Sequence, residues 1–372
     1  MLLDQTSEVT ITSDRLATTR GKRDSFIDAL KGVAILTVVL GHTLQMLVPD
    51  FDHHILYRLI YSVHMPFFMF LSGFVALPSM MKAGFVETVR NKFLRLVVPF
   101  LSWYFIVGYL FLGLVCHGSA GDITFGEHVI RLAKAPDWGL WFLWELFLCD
   151  LVLALVVAGK KRFNLKMAGF TAALIIATVL FGLQPRSGLG LALLRWHLPF
   201  FSAGVLLHLY REQLIVVKRY WVELSLLAYP VLFSFWMRTE SPSFLVKGIG
   251  DLTLLLALVE KLFRYATAFT GITVIWIAMK SLVQTKLSSG LAKLGQYSLD
   301  IYALHFYFLG TLAIASSSLE AGKQTQGSMI SVLLSTVAAL VISLTLSFCL
   351  FRKSRVLSWL FLGIKSGRSQ IA

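Results

Sequence analysis

Apolar runs close to twenty residues long recur along the whole chain, and each is near the length a helix needs to cross about 30 Å of hydrocarbon. Lipid offers no partner to open backbone groups, so runs of this kind form a bundle of helices. They lie at 26–48, 55–79, 93–116, 138–158, 167–184, 191–210, 220–237, 294–316 and 328–351. The stretch 244–283 holds two apolar pieces separated by Lys261 and Arg264, and could add one span or two.

Charge bias decides between these provisionally. Inner loops and tails would collect most of the basic residues if the N-terminus is inside and 244–283 crosses once. Outside would remain only Arg58, Arg131, Lys134, Arg186, Arg238, Lys247 and Lys323. An eleventh crossing would put one of the two basic tails outside, against the positive-inside bias. The expected fold class is therefore an all-α integral membrane protein, a polytopic bundle of about ten transmembrane helices with cytoplasmic N- and C-termini. Residues 1–24 read as a flexible cytoplasmic tail, 25–352 as the transmembrane domain and 353–372 as a basic cytoplasmic tail.

Composition agrees: 57% of the 372 residues are hydrophobic and 15% charged, with a mean hydropathy of +0.74. The net charge of +14 comes from clusters between apolar runs, which suits contact with membrane lipids and gives no reason to expect a nucleic-acid partner. The first run follows a polar stretch without a small-residue cleavage site and reads as a retained span. Cys116, Cys149 and Cys349 lie in separate apolar stretches, with neither metal-type nor paired spacing. No metal site is expected.

Ionisable side chains inside spans are costly and usually face a polar cavity, so they are the functional candidates. In the first span Lys31 and His42 are eleven residues apart. They share one face, about 16 Å apart along the axis, with Asp28 a turn below Lys31. His64 precedes Pro66, which is expected to kink the second span. Lys92 and Arg95 stand a turn apart at the cytoplasmic mouth of the third span, a geometry that suits phosphate. Ser298, Tyr302 and His305 form one stripe of the ninth. Trp138 and Trp141 open the fourth span with faces that suit sugar rings, and Glu145, a turn or two deeper, could orient His42 or His64. Arg195 and His197 add polarity in the sixth. Anchoring, snorkelling and an aromatic belt are the plainer readings of Lys31, Lys92, Arg95 and the tryptophans.

Taken in order, these segments resemble the bacterial membrane acyltransferase-3 family, in particular its fucose 4-O-acetylase-like and polysaccharide O-acetyltransferase group. The resemblance rests on the Ile27–Ile35 opening with Val38-Val-Leu-Gly-His42, on His64-Met-Pro-Phe-Phe with Leu71-Ser-Gly-Phe, and on Lys92-Phe-Leu-Arg95 before Pro99. It continues through Trp141-Phe-Leu, Pro199-Phe-Phe-Ser-Ala-Gly, and Ser298-Leu-Asp-Ile-Tyr with Leu304-His305. It implies a bundle in the bacterial inner membrane that uses cytoplasmic acetyl-CoA to acylate a carbohydrate or lipid-linked glycan. Lys31 and His42 fit the family's basic-X10-His motif, and Lys92-X-X-Arg95 stands where Arg-X-X-Arg is usual, which weakens bidentate phosphate binding.

The expectation is an O-acyltransferase, with acetyl the first choice of acyl group. His42, His64 and Glu145 would be its catalytic groups, with Lys31, Lys92 and Arg95 holding the coenzyme. Trp138, Trp141, His305, Ser298 and Arg195 would hold the acceptor. His42 would act as general base, or relay the acyl group itself. A homodimer or partners in envelope synthesis are compatible with this reading. The alternative class is a transporter or flippase of a glycan or organic anion, although no internal repeat is visible.

Overall fold

The structure is a computed structural model that describes residues 24–111, 124–134, 136, 140–184, 188–213, 215–240, 253–319 and 328–364. The described residues are helical, without strands. Helix α1 (Ser25–Leu47) starts at Asp24, whose carboxylate accepts from the N–H groups of Phe26 and Ile27 at 3.0 and 3.3 Å. Such a cap satisfies donors that lipid could not.

The second run is split into α2 (Ile55–Tyr61) and α3 (His64–Lys82). Pro66 lacks an N–H and its ring collides with the carbonyl four residues back, so the helix stops at Ser62 and Val63 and begins again. The expected kink is thus a full restart.

Helix α4 (Phe85–Lys92) leads through a π-helical turn at Phe93–Val97 into α5 (Val98–Ser102) and a second π-helical stretch, Trp103–Phe111. After the outer helix α6 (Phe125–Lys134) come α7 (Trp141–Arg162), α8 (Met167–Leu183), α9 (Leu191–Tyr210) and α10 (Ile215–Ser234).

The described part of the unsettled region, from residue 253 on, is one helix, α11 (Thr253–Ser281), which passes Lys261 and Arg264 without a break; residues 244–252 lie outside the described residues. Arg264 is paired one turn back with Glu260 at 2.9 Å, so its charge is compensated within the helix.

The ninth run differs from expectation. Residues 294–296 belong to a separate amphipathic helix, α12 (Lys286–Gln296), and α13 (Ser298–Leu319) starts after a break at Tyr297. Helix α14 (Met329–Leu346) ends in a π-helical turn, Ser347–Phe351. The chain then forms α15 (Arg355–Leu362) in what the sequence suggested was tail. Its Phe361 and Leu362 are buried, and Trp103 Nε1–H donates to Phe361 O at 2.9 Å. The start of the tail is therefore docked on the bundle.

Among the described residues seven helices are long and apolar enough to cross a membrane. The chain is a polytopic all-α membrane protein. Helices α8, α10 and α13 lie where three further spans were expected.

Two close helix approaches organise the bundle. A Cβ on Gly73 of α3 would fall on the Phe201 carbonyl of α9, and one on Gly204 of α9 would fall on the Phe70 carbonyl of α3. In the same way Gly32 of α1 faces the Leu291 carbonyl of α12, and Gly295 of α12 faces that of Asp28. Without a hydrophobic force between helices in lipid, such backbone-to-backbone packing is a main source of association.

Gly73→Leu and Gly204→Leu are each expected to lower stability by about 1–3 kcal/mol or more through overpacking. Gly159→Leu, where a Cβ meets open space, should not. Thermal melting of detergent-purified protein followed by size exclusion checks this; equal melting for all three would contradict the packing.

Candidate functional site

A cavity of about 400 Å³ opens among the helices at the end of the bundle where α1 finishes. Its lining comes from the end of α1 (His42, Gln45), the restart before α3 (Ser62, His64, Pro66) and the starts of α7 (Trp141) and α9 (Trp196, His197). Trp236 and Arg238, just past α10, and Arg264 of α11 and Tyr302 of α13 complete it.

The imidazoles are held in defined tautomers. His64 Nδ1–H donates to Ile60 O at 3.0 Å. This carbonyl lies beside the break that Pro66 enforces. His305 Nδ1–H donates to Ile301 O and Tyr302 O at 3.0 and 2.9 Å. A carbonyl only accepts, so in both rings the proton sits on Nδ1 and Nε2 carries the lone pair. His42 Nδ1 lies 3.2 Å from Gln45 Oε1, which also accepts from Tyr61 O–H at 3.0 Å. With Gln45 Oε1 as acceptor, the neutral His42 ring carries its proton on Nδ1 and leaves Nε2 bare. The His42 and His305 rings are 5.5 Å apart, and His64 packs on Tyr61 at 4.5 Å. His305 Nε2 is buried and has no hydrogen-bond partner among the described residues. Histidines of three separate spans are thus brought near one another.

Glu145 is placed otherwise. It orients neither His42 nor His64, but lies fully buried with Oε1 2.7 Å from Nδ1 of His197. Trp141 stacks on that imidazole at 5.5 Å and 26°. The sequence marked His197 only as added polarity. Its pairing across 52 residues has no local signal, although an acid and an imidazole at like depth in two spans each need a partner.

Comparison with known proteins bears on this site. The profile of the acyltransferase-3 family, described as an acyltransferase domain, matches residues 24–352. The chain belongs to the acyltransferase-3 family. It is also similar to nodulation protein NolL of Sinorhizobium fredii (strain NBRC 101917 / NGR234), 30% identical over 191 residues, 50% of this chain and 48% of that protein. NolL of Mesorhizobium japonicum (strain LMG 29417 / CECT 9101 / MAFF 303099) is 25% identical over 189 residues, with the same shares. The match spans about half the length of these curated relatives. No solved structure gave a significant match.

Lys31, Lys92, Arg95, Arg195 and Ser298, also singled out for this acyltransferase-3 chain, are not among the residues that line the cavity. Lys31 pairs with Asp28 at 3.6 Å near the start of α1. Lys92 does not stand ready for phosphate: its Nζ is 2.8 Å from Oδ2 of Asp150, a carboxylate buried midway along α7. Giving up that contact would strand a charge in the bundle, so holding Asp150 is the role the geometry gives it. The π-helical turn at Phe93–Val97 takes Arg95 out of regular i, i+3 register with Lys92, and Arg95 is exposed. Arg195 Nη1–H donates to Gln184 O at 3.0 Å. Ser298 is the first residue of α13, two residues before Asp300, which pairs with Arg352 at 2.8 Å. Trp141 lines the cavity; Trp138 lies outside the described residues.

Residues the sequence did not single out include Asp150, Gln45, Arg238 and Arg264. Asp150 is visible by the rule already used, as an acid inside an apolar run. Arg238 donates to Tyr57 O–H at 2.8 Å and lies over the Tyr61 ring at 5.4 Å, at the rim of the histidine site. Among the described residues no cluster of three or more His, Cys, Asp or Glu could hold a metal ion.

Lys92→Met should destabilise the protein by about 3–5 kcal/mol, because Asp150 is left buried and unpaired. The double variant Lys92→Met with Asp150→Leu should recover most of that loss. Melting temperatures of the three proteins measure it, and a single variant as stable as wild type would contradict the structural role.

Proposed function

We propose that the chain is a membrane O-acyltransferase of the bacterial inner membrane. It moves an acyl group, acetyl in the first instance, from cytoplasmic acyl-CoA to a hydroxyl of a cell-envelope or exported carbohydrate. The observation that carries this reading is the bare Nε2 of His42 at a polar cavity inside a lipid-embedded bundle.

A neutral imidazole, with an ordinary pKa near 6.5, is suited to take a proton from an alcohol at neutral pH. Gln45, itself anchored by Tyr61, sets the tautomer that leaves Nε2 as the accepting nitrogen. The His305 ring packs beside it at 5.5 Å, with its own Nε2 buried, and so backs the base rather than facing the acceptor. Trp141, Trp196 and Tyr302 offer aromatic surface for a sugar ring, with polar groups at the rim to fix its orientation.

Acyl-CoA, when bound, supplies the activated thioester carbonyl. A cavity of about 400 Å³ suits a sugar ring and the thioester end of the donor rather than the nucleotide. The nucleotide phosphates would then rest at the cytoplasmic end. Lys92 and Lys31 each have a carboxylate partner there, so exposed Arg95 is the better donor for a phosphate oxygen.

His42→Ala is expected to lower turnover by about 10²–10⁴, the usual worth of a general base. Gln45→Leu should lower it less, since the base remains but its tautomer is no longer held. The measurement is acetyl transfer from acetyl-CoA by purified protein, with mass spectrometry of envelope glycans from cells carrying each variant. A folded His42→Ala protein that acetylates at the wild-type rate would remove the proposed base. Movement of glycan without acyl transfer would favour the transporter class.

A further inference from the structure

The cavity, with His305 packed behind its His42 wall, brings together two kinds of imidazole. His42, His64 and His305 bond through Nδ1 to uncharged acceptors, an amide oxygen or backbone carbonyls. A neutral ring in that position adds no net charge and turns a lone pair outward. His197 differs because its Nδ1 partner is a carboxylic group, buried at 0% exposure in a lipid-embedded helix.

The other oxygen of that group, Glu145 Oε2, has no hydrogen-bond partner among the described residues. A neutral His197 beside an ionised Glu145 would leave an almost bare negative charge in the bundle. One further proton on the pair removes that charge, whether the proton resides on the imidazole or on the carboxyl. With that proton held in the 2.7 Å contact between Oε1 and Nδ1, His197 Nε2 carries hydrogen in both forms. With Nδ1 turned to Glu145, Nε2 is the nitrogen left to the cavity that His197 lines. Trp141 stacked on the ring fixes its plane.

We infer that His197 is the hydrogen-bond donor of this cavity, positioned by Glu145 and complementary to the accepting Nε2 of His42, and that it stabilises the thioester oxyanion. This rests on the acyl-transfer reading. His42 Nε2 takes the proton of the acceptor O–H as that oxygen bonds to the carbonyl carbon. The carbonyl electron pair moves onto oxygen, which accepts from His197 Nε2–H. The C=O bond then re-forms, the C–S bond breaks, and the leaving sulfur takes the proton back from His42. His197 ends as it began, so no further reactant is needed. A preorganised donor aimed at developing charge contributes most in a water-poor site.

Nitrogen-15 NMR of protein with labelled histidine imidazoles, in the absence of donor and acceptor, reads the proton positions directly. His197 Nε2 should carry a directly bonded proton and His42 Nε2 should not, with His197→Gln and His42→Gln providing assignment. A bare His197 Nε2 overturns the inference. In parallel, thiol release from acetyl-CoA is followed with a lipid extract from cells lacking the gene as acceptor. His197→Leu should lower kcat by about 10²–10³ with little change in the acceptor KM. His197→Gln, which keeps an N–H donor, should regain at least tenfold of that loss. Glu145→Leu should lower kcat rather than raise KM. Wild-type kcat in folded His197→Leu, alongside an inactive His42→Ala, overturns the oxyanion role alone. No thiol release by wild type defeats the acyl-transfer reading, while the NMR spectrum still decides the donor state.

Discussion

The site depends on backbone-to-backbone contact between helices that have no side chain at the point of approach. Gly73 and Gly204 let α3 and α9 touch, and Gly32 and Gly295 do the same for α1 and α12. The first contact sets His64 and His197 on neighbouring walls of one cavity. The second fixes α12 low along α1, so that α13, starting at Ser298, brings His305 beside His42 at 5.5 Å. A lipid-facing bundle gains little from burying apolar side chains in one another, so separations of this kind have to come from shape.

Given that frame, several ionisable groups within the described helices face a compensating partner. Lys92 meets Asp150, His197 meets Glu145, Arg352 meets Asp300, and Arg264 meets Glu260. The Lys92–Asp150 and Arg352–Asp300 pairs tie α7 to the third span and α13 to the end of α14, where a charge left alone would be expensive. The His197–Glu145 pair differs in facing the cavity. What separates a structural pair from a chemical one here is access for a ligand, since the distances are alike at 2.7 and 2.8 Å.

Much of this was legible in the sequence, for physical reasons. Apolar run length is dictated by the bilayer, so most of the long helices could be read without structural knowledge. The period of the helix put Lys31 and His42 on one stripe, and ionisable residues in apolar runs marked His42, His64 and His305. Partners were not legible. Nothing local tells Glu145 that it meets His197, 52 residues on, rather than His42, or that Lys92 is already taken by Asp150. Helix breaks were partly legible: Pro66 announced one, but the break at Tyr297 that detaches α12 comes from packing along α1. The docking of α15 onto Trp103 was equally hidden, because its short amphipathic pattern resembles a charged tail.

Cryo-electron microscopy of the protein with a non-cleavable thioether analogue of acetyl-CoA tests the central claim most directly. Acyl transfer in the cavity predicts density for the carbonyl end between His42 and His197, with the nucleotide phosphates at the Arg95 end of the bundle. An analogue bound with its carbonyl outside this cavity, or with those imidazoles facing lipid, would contradict it.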